Sequence, residues 1–179
     1  MREIIIIFFF SLISVLGLAQ NTEWFVESSN ITFKIKNAGF TVNGDIIGLN
    51  TKINFDAAKS YSNSIEATIN TKSITTNNGA RDKHIHKSDF FDVEKYTSIK
   101  LSSGTFAKQL DGSFKGYFKL KIKNVTKDVV IPFTFTVKEG KANFKGTFTI
   151  NRLDYGIGES SIILSDNVSI TLDINVLKK

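Results

Sequence analysis

Phe118-Lys119-Leu120-Lys121-Ile122-Lys123 alternates an apolar with a charged side chain at every step. In an extended strand successive side chains point to opposite faces, so this stretch has one oily surface and one wet one. The two-residue period continues in both directions. Upstream, Phe114 and Gly116 keep the parity of Phe118, and comparable stripes run through Ile99 and Leu101, through Ile65, Ala67 and Ile69, and through Ile31, Phe33 and Ile35. Downstream, Val129, Ile131, Phe133, Phe135 and Val137 share a face, followed by Phe144, Gly146, Phe148 and Ile150, then Val168, Ile170, Leu172, Ile174 and Val176.

Turn chemistry separates the stripes at Asn37-Ala38-Gly39, Asp111-Gly112 and Glu139-Gly140. Asp-Gly between two alternating runs is a strong hairpin signal. Ser102-Ser103-Gly104 reads as a further break, ahead of a strand at residues 104–110; residues 40–49 and 52–56 bring the total to eight or nine strands. Pro132 falls inside a strand pattern, which places an edge, a bulge or a strand start there. Sustained 3.6-residue periodicity is missing outside the leader. The polar segment 75–96 is predicted to hold a short helix capped near Asn78.

Connections this short enforce antiparallel pairing. Between a sandwich and a barrel, closure removes the edges that long hairpins leave exposed. The expected fold is therefore all-β, an antiparallel barrel of about eight strands with a short helix or loop insertion. A transmembrane barrel would turn its apolar face outward between aromatic girdles, which these strands lack. Gly116, Gly146 and Ala67 interrupt rows of bulky inward residues, and two readings stand. An eight-stranded barrel can leave room for one small ligand, or each glycine can mark a bend roofed by a neighbouring ring.

At the amino end, Arg2 precedes an apolar run at residues 4–18, and Gly17-Leu18-Ala19 supplies small residues for cleavage, the pattern of a secretory signal peptide. The expected organisation is a signal peptide at 1–19 and one domain at 20–179, periplasmic or secreted after cleavage near Ala19. Removing the leader takes one arginine and one glutamate and leaves a net charge of +6. That balance favours anionic partners, including peripheral contact with an anionic membrane, and an exported location argues against nucleic acid. With no cysteine, cohesion must come from the core.

From Arg81 the chain reads Arg-Asp-Lys-His-Ile-His-Lys-Ser-Asp-Phe-Phe-Asp to Asp92. Further stretches are Ser29-Asn30-Ile31-Thr32-Phe33 after Trp24, Val42-Asn43-Gly44, Asn124-Val125-Thr126-Lys127, and Asn151-Arg152-Leu153-Asp154-Tyr155-Gly156. In this order and spacing, across the whole mature chain, they resemble the YceI-like family of exported proteins related to polyisoprenoid-binding proteins. The resemblance implies an extended, lipocalin-like antiparallel barrel that encloses the tail of a polyprenyl or quinone-like lipid, and a loop around residues 81–92 that covers the mouth. It is compatible with stress response, envelope maintenance or electron-carrier handling. Thr97 and Asn37 depart from the family pattern, where proline and histidine are common; the second removes a histidine from the end of the first strand.

Catalytic chemistry finds little support. His84 and His86 are the only histidines; on a strand they would share a face, but zinc needs three or four ligands, so no metal site is assigned. No cysteine nucleophile and no Gly-x-Ser-x-Gly elbow exist, and no catalytic residue or cofactor is assigned. His84 and Asp89 are expected to tie down a loop that Phe90 and Phe91 plug into the barrel. Arg152 is expected to fasten its loop through Asp154 or Asp166, the alternative being a lipid phosphate at the mouth.

The reading is a non-enzymatic, monomeric or homodimeric carrier of one long apolar lipid. Its expected wall residues are Phe33, Ile35, Phe55, Phe118, Leu120, Phe133, Phe148 and Ile150, with His84 or Arg152 orienting the ligand near the opening. The rivals are a solid-cored envelope protein that works through its basic exterior, and an enzyme built on the His84/His86 loop.

Overall fold

In a computed structural model, the structure describes residues 22–179; the expected signal peptide lies outside them. Ten strands occur in sequence: β1 (Glu23–Asn37), β2 (Phe40–Ile46), β3 (Asn50–Asn54), β4 (Ser64–Asn70), β5 (Ile74–Thr75), β6 (Ser98–Lys108), β7 (Phe114–Ile122), β8 (Val125–Lys138), β9 (Lys141–Asn151) and β10 (Asn167–Lys178). One short helix, α1 (Gly79–Ile85), follows β5. Every pairing between strands is antiparallel.

Eight strands close the ring in the order β1, β10, β9, β8, β7, β6, β4, β3 and back to β1. The seam between first and last strand runs from Trp24 opposite Lys178 to Lys34 opposite Ser169. On its other side β1 meets β3 at Glu23 and Trp24 and β2 from Ile31 to Asn37. β2 and β3 thus form one wall broken at residues 47–49, and β5 extends β4 in the same way alongside β2. Ten strands therefore give an eight-walled barrel. On β7 the even-numbered residues are buried and the lysines face water, so the apolar faces line the interior.

Turn geometry follows residue type. The Ala38-Gly39 and Glu139-Gly140 hairpins hold positive φ at both central positions, as a tight primed turn requires. Asn78 caps α1, its side-chain oxygen accepting from the Arg81 N–H at 3.0 Å.

Two local expectations change. Ser102-Ser103-Gly104 does not end a strand: β6 is continuous and its register against β7 shifts between Ser103 and Phe106, a bulge. The Ser103 hydroxyl accepts the Ile65 N–H at 2.8 Å just past the last β4–β6 pair, which keeps that donor satisfied. Pro132 sits mid-strand opposite Lys115 of β7, and the β8–β9 ladder begins only at Phe133. Of the three options for this proline, an edge on one side is what the chain adopts.

Packing at Gly44 offers a test of the wall. A Cβ there would meet the Phe33 ring and lie 2.5 Å from the Thr75 carbonyl oxygen, part of the backbone. Gly44→Ala is expected to cost about 1–3 kcal/mol through overpacking. Gly79→Ala, with open space around its Cβ, should be neutral or stabilising by up to about 1 kcal/mol. Urea unfolding of both variants checks the contrast.

Candidate functional site

The two ends of the barrel are built differently. At the end carrying the β3–β4, β6–β7 and β8–β9 connections, aromatic side chains fill the lumen. Phe55 is fully buried at their centre, edge-on to Phe106, Phe114, Phe133, Phe135 and Phe144 at centroid distances of 4.8–5.7 Å. Trp24 joins them, its indole N–H donating to the Phe55 carbonyl at 2.8 Å. Edge-to-face rings gain about 0.5–1.5 kcal/mol per pair beyond the area they bury. This end is a solid floor.

Above the floor lies a cavity of about 620 Å³, inside the roughly 300–1,000 Å³ span of small-molecule sites. Phe33, Ile35, Phe118, Leu120, Phe133, Phe148 and Ile150 all line it, as do His84 and Arg152. Phe55 is the exception among the expected wall residues. Its parity is inward, but it follows β3 at the closed end, where rings consume the space, so it is floor rather than wall. Along β10 the lining positions run from Val168 to Ile174, a span of about 20 Å at the usual rise per residue. With strands tilted about 35–45° from the barrel axis, that span covers about 15 Å of depth.

The inward glycines serve closeness rather than openness. The Phe118 ring folds over Gly116, and a Cβ on Gly146 would lie 2.5 Å from the Pro132 carbonyl oxygen. Gly116 matches the reading of a glycine roofed by a neighbouring ring and Gly146 is closed by the next strand's backbone instead, yet the cavity exists as well, because isoleucine, valine, leucine and alanine along the upper walls do not reach the axis.

The opposite end carries α1 and the connections between β1 and β2, β7 and β8, and β9 and β10. Ala80, Arg81, His84 and Ile85 of α1, with Phe90 and Phe91 beyond it, border the cavity there. His84 Nε2 lies 3.5 Å from Asp89 Oδ2, both side chains exposed and without the hydrogen bond expected of that pair, and its ring meets Phe90 edge-on. On a helix rather than a strand, His84 and His86 point in different directions. The His86 Nε2 atom lies 2.9 Å from the Ile74 carbonyl oxygen, so neutral His86 carries its proton on Nε2. Burial works against ionisation of Asp82, but hydrogen bonds from the Thr75 and Thr76 hydroxyls and the Thr76 N–H, aided by His86, outweigh it and hold the pKa below the ordinary carboxylate value.

Arg152 is 2 % exposed and fastens the β9–β10 connection. Its Nε donates to the Ser165 carbonyl, Nη1 to Ile157 and Nη2 to Leu164, while Nη2 also pairs with Asp166 at 3.0 Å. Asp166, not Asp154, is the partner; Asp154 faces Lys127 at 3.7 Å. Lys123 ties the two rim segments together by donating to the Phe90 and Gly156 carbonyls. Beside it, Tyr155 and Ile157 pack with Phe90, Phe91, Val125 and Val129. Sequence patterns did not single out Lys123 or Tyr155, because their partners are main-chain atoms and residues distant in the chain.

Comparison with known proteins agrees along most of the chain. A family model described as YceI-like domain matches residues 25–176. A UPF0312 protein of Pseudomonas fluorescens is 35 % identical over 161 residues, covering 83 % of this chain and 81 % of that one. Among solved structures, Burkholderia cenocepacia BcnA superposes with a TM-score of 0.78 at 22 % identity, over 82 % of this chain and 95 % of that one. A polyisoprenoid binding domain from Saccharophagus degradans, implicated in plant cell wall breakdown, gives 0.67 at 11 % identity, over 89 % and 99 %.

Two variants probe the rim. Arg152→Met leaves three carbonyls without their donor and is expected to cost about 1–3 kcal/mol; Arg152→Lys should not rescue it, since an ammonium cannot reproduce the planar fork. Chemical denaturation reads both. Burial, with help from the Asp154 charge, pushes the Tyr155 phenol up to about 12 from an ordinary value of 10.0. A raised folded-state pKa stabilises fully below pH 10 and is lost as pH climbs toward 12. The stability difference between the parent and Tyr155→Phe should therefore shrink or reverse across that window.

Proposed function

The chain belongs to the YceI-like domain family, and from that premise we propose that it binds one long apolar lipid of the isoprenoid or isoprenoid-quinone class, one molecule per barrel. The carrying observation is the cavity: about 620 Å³ and walled almost entirely by apolar side chains. Each methylene taken out of water into such a wall contributes about 0.8 kcal/mol. A branched chain suits the pocket because its methyl groups fill gaps between isoleucine and valine side chains. That a barrel of the same shape is a polyisoprenoid binding domain in Saccharophagus supports the choice of class.

The protein performs no chemistry on its cargo in this reading. The rim serines are engaged in turns: Ser161 Oγ accepts the Ile163 and Leu164 N–H groups, and Ser165 Oγ accepts that of Asn167. Among the described residues no serine hydroxyl bonds to a histidine. The leader reading makes the carrier an exported one, and a lipid of this kind must be exchanged with a membrane. The rim is suited to that contact. Phe40 is 78 % exposed on the β1–β2 hairpin, whose Ala38 N–H donates to the Ile163 carbonyl, and Ile162 and Ile163 are exposed beside it. Exposed Lys36, Lys83 and Lys87 on the same end favour an anionic surface.

Organic extraction of the purified protein followed by mass spectrometry should release a prenyl lipid in near-stoichiometric amount. An empty protein that takes up no labelled prenyl lipid would sink the proposal. Ala67→Phe, which puts a ring into the bore from the β4 wall, should leave the fold intact and cut uptake at least tenfold. Ligand at about 100 times its Kd should stabilise the parent by about 2.7 kcal/mol and this variant by far less.

A further inference from the structure

Arg81 stands apart from every other polar group around the cavity. It sits on α1 in the cavity wall, and its Nη2 donates to the Thr76 carbonyl at 3.1 Å. Its Nε is shut off from solvent and has no acceptor. No carboxylate lies within ion-pair distance of it among the described residues, although Asp82 is its neighbour in sequence. Asp82 is turned the other way and is consumed by Thr75 and Thr76. The contrast with Arg152 is instructive, since that guanidinium borders the same cavity with its charge matched by Asp166 and its other donors taken by carbonyls.

A buried, unpartnered N–H on a permanently charged group is costly unless something else accepts from it. That Nε is closed to the cavity as well as to bulk solvent, but Nη1 also has no acceptor among the described residues and is not shut off, so an acceptor in the cavity meets the guanidinium there. His84, one helical turn further on, borders the same end, as do Asn37 and Thr76, while the lining toward the Phe118, Phe133 and Phe144 end is hydrocarbon apart from the exposed Lys145, whose ammonium is paired with Asp173. The polar groups thus gather at the α1 end, and the one unmatched charge among them is positive.

We propose that Arg81 is the head-group anchor of the cavity, and that the natural ligand carries an oxyanion, a phosphate or a carboxylate, at the end of its hydrocarbon chain. The ligand enters with its tail toward the phenylalanine floor and its oxyanion against the Arg81 guanidinium, whose planar fork fits two oxygens of either group. The assignment rests on the lipid-carrier reading and narrows it from any long apolar molecule to an anionic amphiphile.

Four probes decide it: farnesyl phosphate and palmitate as oxyanions, farnesol and hexadecanol as their neutral counterparts, with affinities measured by displacement of a fluorescent lipid from the parent, Arg81→Gln and Arg81→Lys. The parent should bind at least one oxyanion about tenfold or more tighter than its alcohol, the range expected for hydrogen bonds to a charged group. Preference for farnesyl phosphate alone identifies a phosphate head, and for palmitate a carboxylate. Arg81→Gln should abolish the preference, bringing oxyanion and alcohol affinities within about twofold of each other; Arg81→Lys, with the charge but not the fork, should lose at least part of it, and decides the matter if the glutamine variant does not fold. Equal binding of oxyanions and alcohols by the parent, or a preference that survives both substitutions, overturns the anchor while leaving the carrier reading standing. Failure of all four probes to bind the parent removes the carrier reading itself.

Discussion

Closure of the sheet is the constraint on which the rest of the structure depends. Once β1 pairs with β10 along the seam from Trp24 to Lys34, the circumference is set by eight walls, and the interior can no longer shrink to suit the side chains it holds. Two facing sheets would slide together over small residues; a closed ring does not. What fills the ring then varies along the axis. Around Phe55 the rings reach the centre and touch. Higher up, Ile65, Ala67, Ile69, Val168 and Ile170 stop short of it. The cavity follows from constant radius and declining side-chain size.

That origin explains which parts of the site were legible in the sequence. Alternation along Phe118, Leu120 and Ile122 is a local property of an extended chain, and it carries over directly into the inward face of β7. Asp111-Gly112 and Glu139-Gly140 name their turns because few residues tolerate positive φ. Parity, however, says only that a side chain points inward and nothing of its height along the axis. Phe33 and Phe55 have the same chemistry and the same inward sense, yet one lines the cavity and the other seals its floor. Gly116 and Gly146 left two readings open for a related reason: an absent side chain in the sequence can be a void or a close approach, and in the barrel the Phe118 ring and the Pro132 carbonyl occupy the space.

The rim was least legible because its cohesion is carried by main-chain acceptors. Arg152 reaches the carbonyls of Ile157, Leu164 and Ser165, and Lys123 those of Phe90 and Gly156. No side-chain pattern announces a carbonyl. Asp166 was visible as one of two nearby acids, but choosing it over Asp154 required the turn of residues 152–155 to be in place. Ser102-Ser103-Gly104 posed the same problem, for a bulge and a turn use the same small polar residues, and only the β4 donor that Ser103 satisfies tells them apart.

The gradient along the axis also gives the lumen a direction. A polar group pushed down to the Phe118, Phe133 and Phe144 level would lose its water and find no donor among those rings, a penalty of several kcal/mol in hydrocarbon surroundings. Even the Trp24 indole nitrogen at that end is taken by the Phe55 carbonyl. Hydrocarbon placed at the α1 end meets the opposite mismatch, since it would cover the Arg81 guanidinium without accepting from it. An amphiphile can satisfy both ends in only one orientation. The floor therefore does more than hold the ring of strands together: by refusing a polar group, it leaves the rim as the end of the cavity where one can be matched.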